Sequence, residues 1–218
     1  MKNEEYYKHI ENITLTLSSY RKKGLELSKQ IIGETLYKED LFFCSAANRC
    51  LALIDGLTMM INARNLTCVG ALLRLQMDNC MRTYAAFIAE NKDEVIDCIL
   101  TGESIRNKRT NDGLKMSDKT LREKINEIDP LFSQVYEQAS GYIHLSEKAF
   151  YQTVSFCDDN HLETVVGGSL PERWNDTLIE GAKAFIHFVK LNYQMLQAVA
   201  DSKIRIDMDF SKEESEIV

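Results

Sequence analysis

The stretch TCVGALLRLQMDNCMRTYAAFIAE, residues 67–90, decides the fold. Val69, Leu73, Met77, Cys80, Tyr84, Phe87 and Ile88 recur every three or four residues, the period of one helical face. Leu72, Leu75, Met81 and Ala85 place apolar side chains on the other faces. A helix that is apolar nearly all round is surrounded by protein. This segment, with Thr67 as its N-cap, is therefore predicted to be the central helix of a bundle.

Upstream, Ala46, Cys50, Leu53, Ile54, Leu57, Met60 and Ile61 form a second stripe that begins near Asp40 as N-cap and breaks at Asn65. Before it, Tyr6, Ile10, Ile13, Leu17, Tyr20, Leu27 and Ile31 mark one long helix over residues 3–32, with Gly33 as its stop. Downstream, Asn91 caps a short helix to about Leu100, Ser117 caps another to about Glu127, and Asp129-Pro130 opens a third that reaches Ser140. Between the first two, TGESIRNKRTNDGLKM (101–116) is polar and without a clean period, and reads as a mobile connector, partly helical. From Phe150 the period drops to two. Phe150, Gln152, Val154 and Phe156 alternate with Tyr151, Thr153 and Ser155, and Leu162 to Val166 follows a turn at 157–160, so a β-hairpin is expected over about 149–167. The last helix opens at Asn175 or Asp176 and buries Ile179, Ala182, Ile186, Val189, Tyr193, Leu196 and Ala200.

The expectation is one all-α domain over residues 1–205, a bundle of five to seven helices with one small hairpin before the C-terminal helix, then an acidic flexible tail at 206–218. Two prolines and ten glycines in 218 residues leave too few turns for a many-stranded sandwich. A formal charge of −7 gives no global attraction to phosphate backbones, so nucleic acid would need a local patch. The six cysteines form no C-x-x-C pair, and most fall in apolar runs, so they read as reduced. The charged N-terminus has no apolar signal core, and the most apolar run, Leu51 to Ile61, is interrupted by Asp55 and too short to cross a bilayer. A cytoplasmic protein without membrane contact is expected.

On the central helix Arg74, Asp78 and Arg82 stand at i, i+4 and i+8, which puts a carboxylate between two guanidiniums. As a solvated ladder such a row is worth under about 1 kcal/mol per pair. On a helix surrounded by protein it lines a cavity or an interface. The run VYEQASGYIHLS supplies Tyr136, Ser140, Tyr142, His144 and Ser146 around Gly141, in the irregular kind of segment where binding residues gather, although a lone His144 also suits plain packing. Arg74, Asp78, Arg82, Tyr136, Ser140 and His144 are accordingly expected to share one polar pocket. Asn48, Arg49, Asp55 and Asn79 either satisfy one another across a helix interface or join that row. Cys157, Asp158, Asp159 and His161 form the one cluster of metal-ligand types, without the four-ligand spacing of structural zinc, and no metal is expected. Phosphate-loop, dinucleotide, H-E-x-x-H and G-x-S-x-G motifs do not occur, so neither a cofactor nor a catalytic residue is assigned.

The stretches ARNLTCVGALLRLQMDNCMRTYAAF and VYEQASGYIHLSEKAF resemble uncharacterised bacterial helical proteins distantly similar to HEPN domains. In those, an L-L-R followed by an acid precedes a Y-x-x-x-S-x-x-x-H element, and Leu72, Leu73, Arg74, Asp78, Tyr136, Ser140 and His144 take those places. Relatives include phage-defence and toxin components, some of them ribonucleases with an Arg separated by four to six residues from a catalytic His. Neither Arg74 nor Arg82 has a His at that spacing, so the resemblance implies a dimeric helical scaffold without the ribonuclease. The expected function is a non-enzymatic interaction or regulatory module in bacterial defence or stress response, a homodimer with room for a protein partner. The alternative is a degenerate HEPN-like nuclease or a nucleotide- or RNA-phosphate-binding protein that uses Arg74, Arg82 and His144.

Overall fold

The computed structural model describes residues 3–144, 146–158, 161–167 and 170–216, with the side chains of 3, 148, 149, 155–158, 161 and 206–216 outside the description. The order is α1 (Asn3–Ile32), α2 (Lys38–Asn62), α3 (Leu66–Phe87), α4 (Lys92–Thr101), α5 (Asp118–Ile128), α6 (Phe132–Ser140), α7 (Glu147–Thr153), β1 (Val154–Asp158), β2 (His161–Thr164) and α8 (Asn175–Glu216). The fold is all-α. Helices α1, α2, α3 and α8 make the bundle, α3 packs on α2 and α8, and α4, α5 and α6 lie against α3, which is the central helix as its composition predicts.

Two glycines let elements come closer than any side chain would allow. A Cβ on Gly24 would stand 2.2 Å from the Tyr193 hydroxyl, so α1 meets α8 there only because residue 24 has none. At Gly70 a Cβ would fall 2.3 Å from the Tyr142 ring, and this opening seats the turn after α6 on α3. At one end of the bundle Arg64, held at φ 53°, donates to the Leu170 carbonyl at 2.8 Å and to Asn175 Oδ1 at 2.7 Å, and stands 4.9 Å over the Tyr6 ring. It ties the starts of α1, α3 and α8 together. In the middle a polar layer crosses the apolar core. Gln76 donates to the Phe188 carbonyl at 3.2 Å, Asn192 to Thr83 Oγ1 at 3.1 Å and Asn79 to the Ala46 carbonyl at 3.0 Å, all buried. Asn79 thus satisfies α2 across the interface. Burial pushes the Cys50 thiol up to about 12 and Cys80 well above the ordinary range, so both behave as apolar core residues.

Several boundaries differ from the sequence reading for local reasons. Asp40 is not the N-cap of α2. It sits one turn inside, and its carboxylate accepts the Tyr37 N–H at 2.8 Å. Asn65, not Thr67, caps α3 by accepting the Cys68 N–H at 3.0 Å. Asp129 closes α5 instead of opening α6, and its carboxylate accepts the Leu131 N–H at 3.2 Å, bridging the two helices. Asn91 and Ser117 cap α4 and α5 as expected. The connector is tied down rather than mobile. Residues 105–107 form a 3-10 turn, bridges join Ala89 to Thr110 and Arg109 to Lys115, and Thr110 is buried.

The hairpin is present but short. β1 and β2 pair antiparallel with Val154 opposite Thr164, while residues 149–153, expected as part of the hairpin, belong to the helix over 147–153. Glu147 in the first turn suits a helix start, and the alternation from Phe150 is compatible with one helical turn. This segment raises the count to eight α-helices among the described residues, one above the expected range. Asp159 and Asn160 of the turn, and the side chains of Cys157, Asp158 and His161, lie outside the described residues. Helix α8 continues to Glu216 through the segment expected as a flexible tail, since no glycine or proline interrupts it after Gly181. By length and composition alone α2 is long and apolar enough to cross a membrane, a test that a buried core helix also passes. In the bundle it buries Phe42, Phe43, Ile54 and Leu57 against its neighbours.

Candidate functional site

The Arg74–Asp78–Arg82 row does not enclose one pocket. Residues eight apart on a helix are separated by about 12 Å along its axis, so one cluster cannot serve both ends. Tyr136 on α6 serves Arg74, whose guanidinium lies 3.8 Å over the ring and donates to its hydroxyl. Asp118 on α5 serves Arg82 at 2.6 Å, and Asp78 stands at 3.6 Å from the same guanidinium. Ser140 donates to the Tyr136 carbonyl at 2.8 Å, and His144 is exposed beyond the end of α6. The row is a polar seam along which α5 and α6 are laid on α3. Arg122 joins it at 5.4 Å from the Tyr136 ring.

Arg82 also divides two adjoining hollows. One of about 200 Å³ is lined by Arg49, Asp78 and Asn79, the other of about 250 Å³ by Glu103, Arg106 and Asp118. Arg49 and Asn79 therefore join one half of the row, while Arg74, Tyr136, Ser140 and His144 stay apart from it. Three arginines face three carboxylates in these hollows, a balance that leaves no excess of positive charge for a phosphate. The combination of Arg74, Arg82 and His144 on one phosphate is not assembled. Asp78 is about a quarter exposed, and Arg82 has a closer partner in Asp118. Asp78→Ala is expected to cost less than about 1 kcal/mol in chemical denaturation. A loss of several kcal/mol would restore the buried pocket.

A carboxylate–imidazole contact was invisible in sequence because its partners lie 58 residues apart: His187 Nε2 is 2.5 Å from Asp129 Oδ2. Asp129 is buried and oriented by the Leu131 N–H, and His187 is half-exposed with its ring edge-on to Phe188. Among the described residues no hydroxyl or thiol hydrogen-bonds to this imidazole, so the pair joins the α5–α6 corner to α8 without forming a nucleophile–base array.

A cleft of about 850 Å³ opens at the other end of the bundle between the first turns of α2 and α4, the end of α3, and α8. Phe43, Ala86 and Val199 floor it together with a buried ion pair, Lys203 Nζ to Asp40 Oδ2 at 2.7 Å, whose side chains are 3% and 6% exposed. Lys203 also donates to the Thr35 carbonyl and stands 4.3 Å over the Tyr37 ring, so its ammonium is fully engaged. On the rim, Lys92 pairs with Glu39 at 2.6 Å and Lys38 with Asp97 at 2.7 Å, a contact that raises the Lys38 ammonium above its usual range. Tyr37 and Phe87 complete the rim, 41% and 42% exposed. Asp40 and Lys203 are 163 residues apart. The one signal in the sequence is a lysine falling on the three-and-four spacing that buries Leu196 and Val199. No protein-family model, no curated protein and no solved structure matches the chain.

Proposed function

We propose that the protein is a non-enzymatic helical interaction module whose contact surface is the cleft bounded by α2, α3, α4 and α8. The observation that carries this reading is the pairing of two half-exposed aromatic rings, Tyr37 and Phe87, with a rim of exposed ion pairs over an apolar floor. Protein interfaces combine aromatic anchors with a polar rim in this way. The charged pair in the floor satisfies itself and demands no ligand charge. The resemblance to HEPN-like proteins implies the same class of role, a scaffold without nuclease activity, and a setting in bacterial defence or stress response rests on that resemblance alone.

An apolar aromatic anion, 1-anilinonaphthalene-8-sulfonate, tests the cleft. At low protein concentration the folded protein is expected to raise the dye's fluorescence, and Phe87→Asp should remove most of that gain while leaving the helical circular dichroism intact. Equal fluorescence from both proteins would overturn the reading.

A further inference from the structure

Helix α8 leaves the bundle beside this cleft. Its inward face runs through Asn192, Leu196, Val199 and Lys203, all buried, and Lys203 reaches the Thr35 carbonyl in the loop where α1 has already ended. Residues 204–216 continue the helix for about 20 Å at 1.5 Å per residue. The three-and-four spacing does not stop at the bundle's edge, because Ile206 and Phe210 fall on it next. The apolar spacing that α8 uses for packing thus carries on in the sequence past Lys203. A helix of this length is marginal in water without a packing partner.

The end of the bundle around the root of this overhang is also uncovered. Ile32, Leu36, Leu41 and Ile204 are 42–55% exposed there, beside Tyr37 and Phe87. Large apolar side chains grouped in this way mark contact surfaces. The overhang is acidic, with Asp207, Asp209, Glu213, Glu214 and Glu216 against Arg205 and Lys212. On the first turns of α2 and α4 the cleft sets Lys38 and Lys92 beside Glu39, Asp40 and Asp93, so its charges balance, and its rim pairs Lys38–Asp97 and Lys92–Glu39 are exposed enough to exchange partners at little cost. The N-terminal ends of those two helices favour carboxylates.

Resting on the reading of the cleft as the contact surface, we propose that its occupant is a second copy of this chain: the 204–216 helix of each copy lies in the cleft of the other. One wall of the cleft is α8 itself, through Ala198, Val199, Ser202 and Lys203. An incoming overhang therefore pairs with the partner's α8, and antiparallel pairing of the two makes the exchange reciprocal. The same patch meets itself on both copies, so the contact closes as a two-fold dimer instead of growing into a filament.

Light scattering on the full chain tests the proposal, with circular dichroism as the folding check. The wild type is expected at twice 25.0 kDa at micromolar concentrations. Phe210→Asp, which removes the occupant, and Phe87→Asp, which damages the cleft, should each give single chains. An equimolar mixture of the two should regain a two-chain particle, because one intact tail still meets one intact cleft. Dye fluorescence per wild-type chain should fall as protein concentration rises and the tails fill the clefts. A 25.0 kDa wild type that binds the dye at every concentration would overturn self-docking and leave the cleft to a different protein. A 25.0 kDa wild type that binds no dye would overturn both readings. A dimer that persists in both variants would place the interface elsewhere and also overturn this proposal. If Phe87→Asp fails to fold, Ile206→Asp together with Phe210→Asp decides the matter from the tail side alone.

Discussion

Asp40→Ala is expected to destabilise the protein by about 3–5 kcal/mol, the usual consequence of stranding one charge of a buried pair. The Lys203 ammonium is left with the Thr35 carbonyl and the Tyr37 ring but no counter-charge, at a site where its side chain is 3% exposed. The Tyr37 N–H loses its acceptor as well, so the first turn of α2 loosens together with the end of α8. Urea denaturation of the single variant measures the loss. The double variant Asp40→Leu/Lys203→Met should recover most of it, since apolar replacements of a buried pair are often neutral or stabilising. A single variant within about 1 kcal/mol of wild type would show that water reaches the pair and that the floor of the cleft is not dry.

Phe132→Ala should cost about as much, roughly 3–5 kcal/mol, by opening a cavity where α6 meets α8. The Phe132 ring is fully buried, 5.3 Å from Phe188 and 6.4 Å from Tyr136. Arg74→Ala removes a half-buried contact with the same Tyr136 and should cost about 1 kcal/mol. The contrast says what holds α5 and α6 onto the bundle: burial of Phe132, Leu121, Ile125 and Ala139 does most of it, and the charged seam aligns what burial has brought together. Hydrogen exchange offers a local check, because Phe132→Ala should lower protection in α5 and α6 before it does so in α1. Uniform loss across the bundle would mean that the arm does not open on its own.

What the sequence made legible was set by local chemistry. The α1 stripe from Tyr6 to Ile31 returned the helix and its C-terminal end, because its apolar positions and Gly33 act within a few residues of one another. Asp40 shows the limit of the same logic. A carboxylate near a helix start favours the first turn whether it caps from outside or from one turn inside, and only the position of the Tyr37 N–H separates the two. The spacing of Arg74, Asp78 and Arg82 put a carboxylate between two guanidiniums on a buried helix, and Asp78 does stand near Arg82. Their partners came from α5 and α6, whose placement depends on how Phe132 packs and not on any pattern within residues 74–82. The cleft was the least visible feature. It is made of first turns and helix ends from four elements, and Lys203 meets Asp40 only after the bundle has closed.

The amides buried between α3 and α8 have one more consequence. Apolar spacing by itself recurs with every turn of a helix, about 5.4 Å, so it fixes the register of α8 less firmly than specific contacts do. Asn192 against Thr83 opposes a slide by one turn, because a stranded buried amide costs about 1–3 kcal/mol, and the notch at Gly24 that receives the Tyr193 hydroxyl opposes it too. Helix α8 is in this sense a keyed shaft. Its teeth sit at mid-length, and through eleven further residues of rigid helix they fix where Lys203 stands opposite Asp40. Altering Asn192 and Thr83 would therefore act on the cleft from about 16 Å away, by moving the shaft instead of touching the opening.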